Sequence, residues 1–264
     1  MGIAAALALG VLQGATEFLP VSSSGHLVLA RALLGVHTPG AVLEAWLHLG
    51  TLAAVLAVFG GQVRTLAGAA SADRARSRPA RRALLALAVG SVPAAALGLA
   101  ARTGLEAAFA SPRSAAFGLL ATTCVLVSMR FSPLGLPAGT AGDPPQPGAW
   151  RALAVGAAQA LALLPGLSRS GATIAAGRWL GLCGSDAAAF SFLLSVPAVV
   201  GAAALELAGH AGPVVSASAV FGAAAAFAVG YGALRAVLAL VKGDRLYLFA
   251  PYTLALALVV LVRT

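Results

Sequence analysis

Long apolar runs separated by short polar interruptions dominate the chain, and the lengths of the runs predict its elements. Six runs, at about 41–60, 82–101, 114–130, 188–208, 215–240 and 246–262, approach the roughly 20 residues a helix needs to cross a bilayer. Two further apolar stretches, about 2–35 and 150–183, are broken near their centres by Pro, Gly and Ser, which serve helices poorly. Non-helical backbone at membrane depth is tolerated only where it lines a cavity or is buried in protein. Both stretches are therefore predicted to be re-entrant helix–loop–helix hairpins, each entering and leaving on one side. Strand-length alternation is absent, which argues against a β-barrel.

Composition agrees with this pattern. Hydrophobic residues make up 60% of the chain and charged residues 9%, a balance foreign to soluble domains. The expected fold is an all-α polytopic membrane protein with six transmembrane helices and two re-entrant hairpins. The first apolar run has no charged flank before it and is interrupted by Glu17, so it is not read as a signal peptide. Cys124 and Cys183 have no metal-ligand spacing around them and read as inert apolar thiols.

Residues 132–148 carry Pro133, Pro137, Pro144, Pro145 and Pro147 and read as a linker. It divides a single membrane domain into halves, 1–131 and 149–264. Each half holds one hairpin and three spans. Three is odd, so the second half is expected to lie inverted, giving an inverted-topology repeat. The net charge of +9 fits basic residues gathered in cytoplasmic loops better than it fits nucleic acid. With the polar, Arg-rich loop at 70–81 placed inside, Arg130, Arg151, Arg178, Arg235, Lys242 and Arg245 fall on or near the same side. Arg31, Arg102, Arg113 and Arg263 remain outside. The first hairpin then opens outward, the second inward, and their broken tips approach each other.

The two breaks are copies of one device. Laid over each other without a gap, Gln13 falls on Gln159, Ser22 on Ser168, Ser24 on Ser170 and Gly25 on Gly171. One copy supplies Glu17 and His26, the other Arg169. Gln13 and Glu17 are spaced to share a helix face. A carboxylate within a membrane is expensive and defaults to function; it suits a divalent cation, with substrate phosphate oxygens completing the shell. It equally suits pairing with Arg169. Ser22, Ser23 and Ser24 precede an apolar helix, where hydroxyls and N–H groups bind anions or merely cap. Ser23 and His26 are spaced to face each other as nucleophile and base, or as a base for water. Arg169, between Ser168 and Ser170, fits a bidentate phosphate clamp, with Thr173 one turn further as an added donor. Glu44 and His48, also one turn apart, either line the entrance as a second shell or mark a solvated helix end.

These residues carry a close resemblance to the undecaprenyl-diphosphate phosphatase family, also called bacitracin-resistance proteins. The matching stretches are Gln13–His26 and Pro165–Thr173, with Phe190–Pro197 as a third, in family order over nearly the whole length. The resemblance implies a membrane enzyme that releases the terminal phosphate of undecaprenyl diphosphate and so recycles the lipid carrier of cell-wall synthesis. It implies roles for Glu17, Ser23, His26, Ser168, Arg169 and Thr173, with Gln13, Ser22, Ser24 and Ser170 beside the diphosphate. It also implies a divalent cation, Mg²⁺ or Ca²⁺, on Glu17. Gln13 stands where some members carry a second carboxylate, which leaves Glu17 as the main anionic ligand. The expected partners are the polyprenyl diphosphate and membrane lipids, with no nucleic acid; a homodimer stays open. The expected location is a bacterial plasma membrane, with the site opening to the outer face. A polyprenyl-phosphate flippase built on the same anion site is the rival reading, since broken helices and inverted repeats also mark transporters.

Overall fold

The computed structural model describes residues 2–34, 41–70, 74–133, 135, 144–210 and 212–263. His37, Arg-rich-loop residues 71–73 and linker residues 134 and 136–143 lie outside that set. The regular secondary structure of the described residues is helical, with no strand among them. The helices are α1 (Ile3–Glu17), α2 (Ser23–Leu34), α3 (Ala41–Val58), α4 (Gly60–Ala67), α5 (Arg74–Ala100) and α6 (Arg102–Phe109). After them come α7 (Pro112–Ser128), α8 (Ala149–Leu161), α9 (Arg169–Trp179), α10 (Gly184–Ala208), α11 (Ala217–Lys242) and α12 (Ala250–Arg263).

Five helical segments among the described residues are long and apolar enough to cross a membrane: Arg78–Ala100, Pro112–Phe131, Gly184–Ala208, Ala217–Lys242 and Leu246–Arg263. α3 and α4 meet at an 83° bend and make a sixth if counted as one broken span. These six regions overlie the six predicted runs. The chain is thus a multi-pass, all-helical membrane protein.

One local expectation needs correction. Most of the expected loop at 70–81 is helix, because α5 begins at Arg74. Arg and Ala are good helix formers, and polarity alone does not separate a solvated helix end from a loop. Asp186 lies in the first turn of α10, whose N-cap is Cys183. A carboxylate there still favours the positive end of the helix dipole.

Each hairpin's leading helix packs along a long span of the other half, α1 on α11 and α8 on α5. Both seams are made by glycine. A Cβ on Gly10 would sit 2.3 Å from the Gly222 carbonyl oxygen, and one on Gly156 would sit 2.1 Å from that of Gly90. The reciprocal contacts match as well. A Cβ on Gly222 would stand 3.1 Å from the Ala6 oxygen, and one on Gly90 would stand 3.0 Å from the Ala152 oxygen. Helices associate in lipid through close backbone approach at small residues, and both seams use that rule.

The main core lies beside the first hairpin's tip. Phe18 and Phe192 are buried and meet edge to face with ring centroids 5.7 Å apart, and Phe59 packs on Phe192 at 6.2 Å. Phe18 immediately follows Glu17, so this cluster fixes where α1 ends and where its last carboxylate points.

Gly10→Ala and Gly156→Ala should each cost about 1–3 kcal/mol through overpacking and lower the thermal midpoint of the detergent-solubilised protein. Gly232→Ala, where a new Cβ has no neighbour within 4 Å, should leave the midpoint unchanged or raise it.

Candidate active site

Two breaks create the site. α1 stops at Glu17, the chain turns through 18–22, and α2 restarts at Ser23. α8 stops at Leu161, turns through 162–168, and α9 restarts at Arg169. The restarts are built alike. Ser22 Oγ accepts from the Gly25 N–H at 3.2 Å, and Ser168 Oγ accepts from the Gly171 N–H at 3.1 Å. Ser22 and Ser24 hydroxyls pair at 3.1 Å, and Ser168 and Ser170 hydroxyls at 3.2 Å. The tips also touch reciprocally. A Cβ on Gly25 would lie 3.2 Å from Gly166 Cα, and one on Gly171 would lie 3.4 Å from Pro20 Cβ. Pro20 and Gly166 occupy equivalent places in the overlay of the two motifs. Ser22 holds a left-handed backbone at φ 66°, uncommon for a residue other than glycine.

Glu17 is the hub. Its Oε1 accepts from Arg169 Nη2 at 2.6 Å. Its Oε2 accepts from Ser23 Oγ at 2.7 Å and from Gln13 Nε2 at 2.9 Å. His48 Nε2 stands 3.9 Å from Oε2, while His48 Nδ1 donates to the Glu44 carbonyl at 2.8 Å. The Glu17 side chain is 8% exposed, Arg169 18% and His48 37%, so exposure rises from the buried carboxylate outward to His48. A pair this buried is stabilising only when its remaining polar atoms are also satisfied. Two are not: Arg169 Nη1 and Gln13 Oε1 are buried without a hydrogen-bond partner. A donor and an acceptor therefore remain for a ligand.

The structure thus brings together Gln13, Glu17, Ser23, Arg169 and His48, and Glu44 joins through its carbonyl. It separates Ser23 from His26. The expected Ser23–His26 pair does not form: the Ser23 hydroxyl is spent on Glu17, which reaches it because the turn at 18–22 folds α2 back over the end of α1. His26 Nδ1 instead donates to the Ser22 carbonyl at 2.7 Å, and its Nε2 meets Tyr252 Oη at 2.6 Å. Ser22, Ser168, Ser170 and Thr173 are buried and build the cradle. Ser170 donates across the tips to the Leu19 carbonyl at 3.3 Å. The Thr173 hydroxyl lies 2.7 Å from the Arg169 carbonyl and 2.6 Å from Ser191 Oγ. One hydroxyl has one proton to give, so Thr173 holds Arg169's helix against α10 and has no donor to spare. Ser23 and Ser24 are half-buried.

Thr122 on α7 has no counterpart in the sequence expectations. Its hydroxyl donates to the Gly166 carbonyl and accepts from the Ser168 N–H, both at 2.8 Å. These backbone groups are buried, and no local pattern announces a partner 44 residues away. Gly118, on the same helix, leaves room for the tip: a Cβ there would sit 2.1 Å from the Pro165 oxygen.

A buried arginine with a spare donor, facing a carboxylate-bound serine among helices long and apolar enough to cross a membrane, suits phosphate-ester or anhydride chemistry. Comparison with known proteins narrows the class. The family described as Bacitracin resistance protein BacA matches residues 6–259, and the chain belongs to that family. It is 42% identical over 259 residues to a protein named undecaprenyl-diphosphatase from Desulfosudis oleivorans, with 92% of each chain covered. It is 42% identical to one of the same name from Desulfatibacillum aliphaticivorans, covering 96% of each, and 37% identical to one from Korarchaeum cryptofilum, covering 99% of each.

Thr122→Val keeps the shape of the side chain but leaves a buried N–H and carbonyl unpaired, which should cost about 1–3 kcal/mol. A lower thermal midpoint, with the helical circular dichroism of the unheated protein unchanged, is the expected result.

Proposed function

We propose that the protein is an integral membrane phosphatase that hydrolyses undecaprenyl diphosphate to undecaprenyl phosphate and inorganic phosphate. Family membership and the similarity to proteins named undecaprenyl-diphosphatase support the activity. The observation that carries the site is the buried Arg169–Glu17–Ser23 chain with its spare guanidinium donor.

In this reading the polyprenyl tail lies among the apolar spans, and the diphosphate enters past His48. Phosphate oxygens draw Arg169 from Glu17 and take both of its outer nitrogens, a preorganised clamp for the charge that grows in the transition state. Release of Arg169 leaves Glu17 a stronger acceptor for the Ser23 proton. Ser23 Oγ then attacks the terminal phosphorus as its proton passes to Glu17, and the bond to the bridging oxygen breaks, freeing undecaprenyl phosphate. Water cleaves the resulting phosphoserine, returning the proton to Ser23 and releasing phosphate. The Ser23–Glu17 hydrogen bond favours serine attack with Glu17, rather than His26, as the proton acceptor. Direct attack by water is the alternative course.

A divalent cation, Mg²⁺ or Ca²⁺, suits the oxygen donors here, Glu17 and the orphaned Gln13 Oε1. Among the described residues no group of three or more His, Cys, Asp or Glu side chains gathers to hold a metal. Substrate oxygens are therefore needed to complete the shell. When bound, such an ion supplies neutralisation of the diphosphate charge.

The reciprocal glycine seams and tip contacts support the inverted repeat, with two re-entrant hairpins and halves at 1–131 and 149–264. The charge distribution supports a plasma-membrane orientation with the pocket facing outward. A flippase would use the same two-fold arrangement, but it leaves the Ser23–Glu17 bond without a purpose.

Purified protein in detergent should release phosphate from a long-chain polyprenyl diphosphate, and chelation of divalent cations should stop it. Arg169→Ala and Glu17→Ala should each cost roughly 3 kcal/mol of transition-state stabilisation, a factor above one hundred in rate. Undiminished turnover by either variant rejects this site. Label from the terminal phosphate should become acid-stable on the protein and disappear in Ser23→Ala; full activity of Ser23→Ala rules out the covalent route. In a background lacking Cys124 and Cys183, Arg76→Cys should resist an impermeant thiol reagent applied from outside. Reaction there overturns the orientation.

A further inference from the structure

His26 is fastened at both ring nitrogens, and only one fastening comes from its own hairpin. Nδ1 lies 2.7 Å from the Ser22 carbonyl, which can only accept, so the proton sits on Nδ1 and Nε2 is left as the acceptor. The hydroxyl that fills Nε2 belongs to Tyr252, in the first turn of α12 and 226 residues away in sequence, at 2.6 Å. The two rings are nearly parallel, 11° apart, with centroids separated by 5.7 Å. Tyr252 is half-exposed, so apolar burial does not explain its place.

Its helix, α12, is held on α7 by an apolar cluster of Ala116, Leu119, Ala257 and Val260 and by a polar link beside Tyr252. The next residue, Thr253, is fully buried, and its hydroxyl lies 2.8 Å from that of Thr123 on α7. Thr123 adjoins Thr122, which grips the second hairpin tip at Gly166 and Ser168. Adjacent threonines on one helix thus set the tip that carries Arg169 and the helix that carries Tyr252. His26, on the opposite hairpin, is aligned to the same frame through the tyrosine hydroxyl.

We propose that Tyr252 is a positioning residue of the phosphatase reaction: its hydroxyl donates to the bare Nε2 of the His26 tautomer that the Ser22 carbonyl sets, holds the ring in place and covers that nitrogen until the diphosphate enters. In the loaded site the hydroxyl gives way, and Nε2 faces the phosphate or the attacking water with its tautomer already set. The inference rests on the phosphatase reading and adds a residue to it.

Tyr252→Phe keeps the ring and removes only the hydroxyl. In the polyprenyl diphosphate assay its kcat should fall about tenfold, the scale of one neutral hydrogen bond, with KM within about twofold of wild type. The thermal midpoint should stay unchanged. Thr123→Val should show a smaller loss of the same kind. With ¹⁵N-labelled histidine, the resonances assigned to His26 by their loss in His26→Ala should move in Tyr252→Phe, as the acceptor nitrogen loses its donor. A wild-type kcat in Tyr252→Phe, or unmoved His26 resonances, overturns the proposal. A raised KM with kcat intact also overturns it, because the hydroxyl would then be touching substrate. Arg169→Ala runs in parallel. An inactive wild type rejects the phosphatase reading while the resonances still test the His26–Tyr252 link; an active wild type with a normal Tyr252→Phe rejects only the tyrosine.

Discussion

A helix interrupted inside a bilayer exposes N–H and C=O groups to a medium that offers them no water, at several kcal/mol for each group left unsatisfied. On the re-entrant reading proposed above, this chain interrupts two helices there, and much of the rest of its structure answers that cost. Serine hydroxyls cap the restarts, Thr122 takes one buried carbonyl and one buried N–H of the second tip, and Ser170 reaches a carbonyl of the first. Glycine seams let the leading helices sit close enough for the tips to meet. The same demand explains the hub. A lone carboxylate at this depth is untenable, whereas one that accepts from a guanidinium, a hydroxyl and an amide is not.

Rigidity and readiness are divided between the two sets of residues. Ser22, Ser168, Ser170 and Thr173 are buried and committed, so they fix the geometry. Arg169 and Gln13 each keep one polar atom idle, so the pocket is complete only with a ligand. Enzymes gain most from donors held in place before charge develops, and here the holding falls to buried hydroxyls that are already hydrogen-bonded to one another and to the backbone.

Much of this was legible in the sequence because it is local. Run length located the five apolar spans and the bent α3–α4 pair, and the breaks at Pro20 and Pro165–Gly166 located both turns. The overlay of Gln13 on Gln159 and of Ser22 on Ser168 anticipated matching caps. Spacing failed where the partner lay across the fold. Ser23 and His26 are correctly spaced for one another, yet the turn at 18–22 delivers Ser23 to Glu17 instead. Thr122, Thr123, Ser191 and Tyr252 sit in apolar runs as unremarkable polar residues, and only tertiary packing gives them partners. The expected loop at 70–81 failed for another reason: an arginine-rich, alanine-rich segment suits a helix end as well as a loop.

The two tips share a backbone plan but not a chemistry. In the overlay that pairs Ser22 with Ser168, Glu17 falls on Leu163, and the nucleophile candidate Ser23 falls on Arg169. The likeness of the two tips therefore ends at the side chains of the Glu17 hub. One half brings the acid and the hydroxyl, the other brings the cation, and neither set is sufficient by itself. Two copies of the first tip would bring two carboxylates and no guanidinium, and two copies of the second the reverse. The difference between the tips is thus what supplies both members of the Arg169–Glu17 pair.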